Sequence, residues 1–433
     1  MKESAPASPL IEISQAARTR ELCILLLFEA VVSYRSVPRI LKIMQEQVPL
    51  QLPWIPHFTS VINWSLRLGL GLLQQVKKSN EKWLAIIDHS ISIGTRKVLV
   101  VLRVSMDSLL EKQGAIQLSD CECIGLRVSE KVTGESIALE LQEIFDKSGH
   151  PAAIIKDGEC ALEKGVRLWS EPHESRVPVI YDVGHAFALA LEKQYKEDSG
   201  YKRLVEIVTQ GAKKLRQTAF GFLTPPQLRS KGRFMSIGRL AKWGEKILEL
   251  SAGTKKLPQG VLQKISEVFP DLNKSREFIQ EFSYTTNIMS NVLKRLKNKG
   301  LEQSTYVECR EWVDKLPENS CKESLLCWLE RHLLIQKQIS PSALLVSSDI
   351  IESLFGNFKH VIERCPQADI NRMALLIPAF CGKINVEIIN QSLSCVRHVD
   401  LIEWENNNIP YTMRGKRLDI FNNDNPKIGK NMT

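Results

Sequence analysis

The chain has 433 residues, 43% of them hydrophobic and 25% charged, a globular composition long enough for two or three domains. No apolar run reaches the roughly 18–20 residues that cross a membrane, since Glu29 breaks the longest one, and residues 1–9 lack the apolar centre of a signal peptide. Fifty-eight Lys and Arg against 49 Asp and Glu leave a net charge of +9, which permits a polyanionic partner without requiring one, and ten scattered cysteines suit reduced thiols rather than a disulfide framework.

Residues 1–80 read as helices. Apolar positions recur at helical spacing over 19–33, and 34–45 follows with Arg35 and Arg39 on its polar side. Pro49, Pro53 and Pro56 force a connector, and 57–76 is helical again. From Glu81 the period changes. Trp83-Leu84-Ala85-Ile86-Ile87-Asp88 is a continuous apolar run ending in a carboxylate, the pattern of a strand buried on both faces. Ile93-Gly94-Thr95-Arg96 turns the chain into a second strand over 97–104, and 123–130 supplies a third. A helix over 133–147, capped at Thr133 with Ser136 in its first turn, leads to a short strand over 152–157. A helix over 158–169 and a strand over 177–182 complete the run. Strands and helices in this order give a mixed α/β sheet with helices on its faces. A right-handed crossover sets the strand ending at Asp157 parallel to the one ending at Asp182. Both carboxylates then lie on the carboxyl edge, where α/β sheets bind ligands.

The stretch 186–340 loses the strand pattern. It is helical, with loops at 223–226 and 253–258, and rich in bases: Lys213, Lys214, Arg216, Arg229, Lys231, Arg233, Arg239 and Lys242. A last ordered part begins at Pro341. Within it, Ile351, Leu354, Phe355 and Phe358 form the apolar arc of a helix that Ser347 or Ser348 can cap, while Glu352, Gly356, Lys359 and Glu363 fall beside that arc. Beyond Glu403 the sequence turns Asn-rich and basic and reads as a loose tail. The expected divisions are 1–80, 81–190, 191–339, 340–402 and 403–433.

A lone Asp at a strand end is ordinarily a turn or cap. Asp88, Asp157 and Asp182 on one sheet edge, with Glu352 aimed at it, are different: carboxylates brought together ionise together only around a cation. An all-oxygen donor set suits Mg²⁺ or Mn²⁺. Cys121-x-Cys123, and Cys321 and Cys327 with His332, lack the spacing of a zinc site, and there is no phosphate-binding loop, so ATP is not expected.

These residues resemble the DDE transposases of bacterial insertion sequences. The strand ending in Asp88-His89-Ser90, the Asp157-Gly158 step and the helical Glu352 match that family's three acids, and Asp182-Val183-Gly184-His185 matches the (C/D)xxH signature of its Mutator-like and hAT-like branch. That branch also carries a helical insertion before its Glu. The resemblance covers about 81–190 and 340–365. It implies a ribonuclease H-like core split by the insertion, with Asp88, Asp157 and Glu352 as catalytic residues and ligands of two Mg²⁺ (or Mn²⁺) ions. Asp182 and His185 would form a supporting signature, although either Asp157 or Asp182 fits the second ligand position. It further implies cleavage and strand transfer at the ends of a mobile element, double-stranded DNA as partner, a homo-oligomer on DNA and a cytoplasmic, nucleoid-associated protein. The segment 33–41 resembles the second helix of a helix-turn-helix domain and 57–69 its recognition helix. Asn63 and Arg67 would then read DNA, Arg35 and Arg39 would flank them, and Lys359 would reach a phosphate. A structure-selective nuclease of the same fold and a non-catalytic DNA-binding copy are the alternatives.

Overall fold

The computed structural model describes residues 15–47, 52–93, 96–112, 116–171, 177–228, 232–253, 258–339, 343–362, 370–409 and 412–422. Pro49, the Gly94-Thr95 turn, Arg229, Lys231, Glu363 and most of the 253–258 loop lie outside the described residues, as do the beginning of the chain and the end of its tail.

Three helices open the described residues: α1 (Gln15–Phe28), α2 (Ser36–Gln47) and α3 (Phe58–Gln75). Two antiparallel hairpin connections then join β1 (Trp83–Ile93), β2 (Arg96–Ser105) and β3 (Cys121–Ser129), with the short α4 (Met106–Glu111) between the last two. Helix α5 (Gly134–Ser148) leads to β4 (Ala153–Lys156), and α6 (Cys160–Ser170) to β5 (Val179–Tyr181). The sheet order is β3-β2-β1-β4-β5, with β1, β4 and β5 parallel. Thr133 and Ser136 start α5 by exchanging side-chain and backbone bonds, a reciprocal cap, and Gly149 at φ 89° ends it.

Alternate residues of each strand enter different cores, as the two-residue period requires. Ala85, Ile87, Leu99, Val101 and Ile154 pack beneath α5 and α6 against Ile137, Leu141, Phe145, Leu162 and Trp169. Leu84, Ile86, Val100, Leu102, Ile155 and Ile180 face the larger core. Helix α7 (Val183–Tyr195) follows β5 on that side. A helical insertion comes next: α8 (Ser199–Leu215), α9 (Gly238–Ser251), α10 (Gln259–Val268), α11 (Arg276–Lys299), α12 (Gln303–Asp314) and α13 (Ser320–Ile339). The chain returns to the sheet with α14 (Asp349–Ile362), whose Ile351, Leu354, Phe355 and Phe358 are buried as the apolar arc requires. A 3-10 stretch (Arg372–Phe380), α15 (Val386–Cys395), α16 (His398–Asn408) and α17 (Met413–Asn422) end the described chain.

Three expectations change. First, β1 does not end at Asp88. Its pairing with β4 stops at Ile87↔Lys156, but its pairing with β2 continues to Ile93 through a register shift between Asp88 and Ile91. The hairpin partner holds the backbone after the parallel partner has turned away. Second, α3 is an internal helix. A Cβ on Gly69 would lie 1.6 Å from the Leu375 carbonyl oxygen, so only glycine permits that approach, and Thr59 and Gln74 are the exposed residues of the helix. A recognition helix needs a free face for the major groove, and the 3-10 stretch, α15 and α1 cover this one. Third, part of the expected loose tail is helical. Helix α17 reaches the sheet through Lys416, which pairs with Glu130 at 3.2 Å beside Arg96, and Asp419 is buried.

Candidate active site

The site grows from Asp88 within β1, where pairing with β4 stops, and from the carboxyl ends of β4 and β5. Ile87 and Lys156 are the last register partners of parallel β1 and β4, and Asp88 and Asp157 are the residues that follow them. Alternation assigns Asp88 to the face of Ile86, which borders the larger core. Asp88 is buried and its Oδ1 accepts the His89 N–H. Asp157 is half-buried, and its Oδ1 accepts the Glu159 N–H in a local turn that opens α6. His89 points to the opposite face. It is fully buried, 3.8 Å from Glu159, and burial pulls its pKa down to about 4, so it stands neutral beside the acids.

Asp182 has a different task. Its Oδ1 accepts the His185 N–H at 2.8 Å and faces the His185 Nδ1 at 3.1 Å, while its Oδ2 accepts the Ser348 N–H at 2.7 Å and the Ser348 hydroxyl at 3.1 Å. One carboxylate therefore caps α7 and ties it to the segment entering α14. Burial opposes its charge, but the bonds from His185 and Ser348 outweigh burial and hold its pKa down to about 2. His185 is raised in turn to about 9, chiefly by the Asp182 bond against burial, with the charges of Asp157 and Glu352 adding to it. At neutral pH the edge thus carries an imidazolium among acids. Of the two capping serines expected for α14, Ser347 performs the role, accepting the Asp349 N–H at 3.2 Å, and Ser348 belongs to Asp182.

Glu352 is exposed in the first turn of α14, with its pKa raised by burial of its carboxylate and by Asp349 and lowered by His185. The structure thus places Asp157, Asp182 and Glu352 within electrostatic reach of His185, and Asp182 within reach of Glu352. Among the described residues, no group of three or more His, Cys, Asp or Glu side chains is gathered closely enough to hold a metal ion. The donors near the edge are carboxylate oxygens, the chemistry that Mg²⁺ and Mn²⁺ take. Both Asp182 oxygens are engaged internally, whereas the bond described for Asp157 uses Oδ1 alone.

The residues expected to read DNA fall elsewhere. Arg67 donates to the Val396 carbonyl at 2.6 Å and to the Leu393 carbonyl, closing the C-terminal end of α15, and Asn63 bonds His398 at 2.7 Å. A guanidinium stabilises a helix C-terminus by meeting its unpaired carbonyls, so these two side chains hold the N-terminal and C-terminal helices together and do not face a groove. Arg35 is exposed and stacks over Phe58 at 5.4 Å, Arg39 is exposed, and Lys359 is half-buried. Lys213, Lys214, Arg216, Arg239 and Lys242 of the insertion are all exposed.

Sequence reasoning passed over the residues that dock the insertion on the sheet. On the outer edge of β5, the Tyr181 N–H donates to His332 Nε2 at 3.0 Å and the Tyr181 carbonyl accepts from Trp328 Nε1 at 3.2 Å. An edge strand is closed here by two side chains of α13 instead of by another strand. His332 stacks on Trp328, and its Nδ1 lies 2.7 Å from the Trp328 carbonyl. A His and a Trp four apart on one helix face was the available signal. Burial holds the His332 pKa down to about 4 from 6.5. A base whose pKa falls on folding contributes stability that is complete above 6.5 and lost as the pH falls toward 4, worth roughly 3 kcal/mol. Urea midpoints taken from pH 6.5 down to pH 4 should therefore fall less steeply in His332→Gln than in the wild type. Parallel curves would contradict the buried neutral ring.

Fold and edge together define a mixed α/β protein whose five-stranded sheet carries acids on its carboxyl edge and is clasped by a helical insertion. No family model and no curated protein matches the chain. Among solved structures it is similar to the Drosophila P element transposase strand transfer complex, at 13% identity and a TM-score of 0.41, over 89% of this chain and 94% of that one. No helix among the described residues is long and apolar enough to cross a membrane.

Proposed function

We propose that the protein is a DNA transposase of the DDE type, built on a ribonuclease H-like core, that cuts and joins phosphodiester bonds at the ends of a mobile element. What supports this reading is that Asp88 and Asp157 directly follow the last paired residues of parallel β1 and β4, Ile87 and Lys156, while the Asp182–Ser348 bonds fasten the entrance of the Glu352 helix next to β5. The sheet order β3-β2-β1-β4-β5 and the Asp182-Val183-Gly184-His185 signature at the start of α7 support it.

In this reading Asp88, Asp157 and Glu352 would hold two Mg²⁺ or Mn²⁺ ions, with α14 bringing Glu352 in to complete the set. Bound there, such ions activate the attacking oxygen and stabilise the leaving oxygen of an in-line displacement. The chain's own residues do the rest. Asp182 fixes the direction of α7 and of the α14 entrance, and the buried neutral His89 keeps a second imidazolium off the opposite face. His185 balances the acids before a cation arrives. The exposed bases of α8 and α9, with Arg35 and Arg39, follow the DNA backbone, and two copies of the chain pair the two ends. The test is Mg²⁺-dependent nicking and joining of DNA that carries the element's own termini. Wild type should act and Asp88→Asn should not; wild-type inertness toward any DNA with Mg²⁺ or Mn²⁺ contradicts the proposal.

A further inference from the structure

We infer that Lys297, a residue of the insertion, is a positioning residue that binds a DNA backbone phosphate beside the acidic edge; this rests on the proposed function. Lys297 lies in the last turn of α11, far from the acids in sequence. Gly300, at φ 69°, ends that helix, and Leu301 and Leu344 then exchange backbone bonds of 2.9 and 2.8 Å, which pins the helix end alongside the segment entering α14. The ammonium group consequently lies beside the start of α7 and the first turn of α14. It pairs with Asp349 at 2.5 Å, and a Cβ on Gly184 would lie 3.5 Å from it and 3.1 Å from Asp182 Oδ1. The Lys297 charge also reaches Glu352 and favours its ionised form.

Beside the lysine opens a cavity of about 390 Å³ lined by Lys297, Asn298, Ser347, Asp349, Ile350 and Ser353, and the Lys297 side chain is 29% exposed. An ammonium on a pinned element, with amide and hydroxyl donors around an open cavity, suits an anionic oxygen. A half-exposed pair such as Lys297–Asp349 contributes little by itself. A phosphate that replaces Asp349 as the partner of the ammonium therefore costs little to admit. The insertion would thereby set how the strand lies over Asp88 and Asp157.

The experiment measures binding of the full chain to a short fluorescein-labelled DNA duplex over a salt series, with Ca²⁺ in place of Mg²⁺ to prevent cutting. Losing one phosphate contact should make the slope of log K against log salt shallower by about 0.9. Lys297→Gln should show that change, Lys297→Arg should restore the wild-type slope, and Asp349→Asn should keep it. A wild-type slope in Lys297→Gln overturns the assignment, and so does an equal change in Asp349→Asn, because the pair would then serve only to tie α11 to α14. If the wild-type chain binds no duplex, the proposed function falls first and Lys297 with it; if wild type binds and cuts while Lys297→Gln matches it, only the lysine assignment fails.

Discussion

Asp88→Asn should fold normally and lose cation-dependent DNA cleavage by roughly 10³-fold, the rate equivalent of about 4 kcal/mol of transition-state stabilisation. The fold should survive because the side chain keeps its shape and its Oδ1 can still accept the His89 N–H. Activity should not, because Asp88 is buried and the amide removes a charge that the proposed cation site needs. DNA binding without a divalent ion should be unchanged or slightly tighter, since a negative charge near the backbone has gone. Cleavage at the wild-type rate would show that Asp88 is only a buried strand residue. The assay therefore separates a catalytic carboxylate from a structural one.

Asp182→Ala should instead damage stability, by about 3–5 kcal/mol, as expected when one partner of a buried charged network is removed. The Ser348 N–H, the His185 N–H and the His185 ring would lose their acceptor together, and α14 would lose its tie to β5. The sign of the pH dependence follows from the two partners. Asp182, lowered to about 2 from 3.8, contributes fully above 3.8 and less as the pH falls through 2. His185, raised to about 9 from 6.5, contributes fully below 6.5 and less as the pH rises through 9. Chemical denaturation of wild type and variant should differ most between pH 3.8 and 6.5. A variant with the wild-type midpoint in that window would refute the role given to this carboxylate.

The contrast between these acids shows what the sequence could and could not reveal. Strand period located the residues that follow β4 and β5, Asp157 and Asp182, because an apolar run closed by an Asp carries the same local information wherever it folds. Whether each oxygen is free depends on Ser348, which lies 166 positions from Asp182 and has no local mark of the contact. The same distance hid Lys297 and the Tyr181–His332 clasp, since helical period shows which face of α11 or α13 is apolar but not which strand end its polar residues meet. Helix α3 was misread for a related reason. Its apolar stripe fits a recognition helix or a core helix equally well, and Gly69 and Gly71 in its interior were the sign of close backbone contact. In β1 the apolar run ended at Asp88, yet pairing with β2 carried the strand to Ile93, because backbone bonds to a hairpin partner do not require apolar side chains.

The claim on which the rest depends is that Asp88, Asp157 and Glu352 hold a divalent cation. Titration of the full chain with Mn²⁺, followed by electron paramagnetic resonance of the free ion, tests it without DNA or activity. The expected result is uptake by the wild type that weakens at least tenfold in each of Asp88→Asn, Asp157→Asn and Glu352→Gln, within the loss typical of a disturbed metal site. Uptake that is absent in the wild type, or equal in all four proteins, would contradict it.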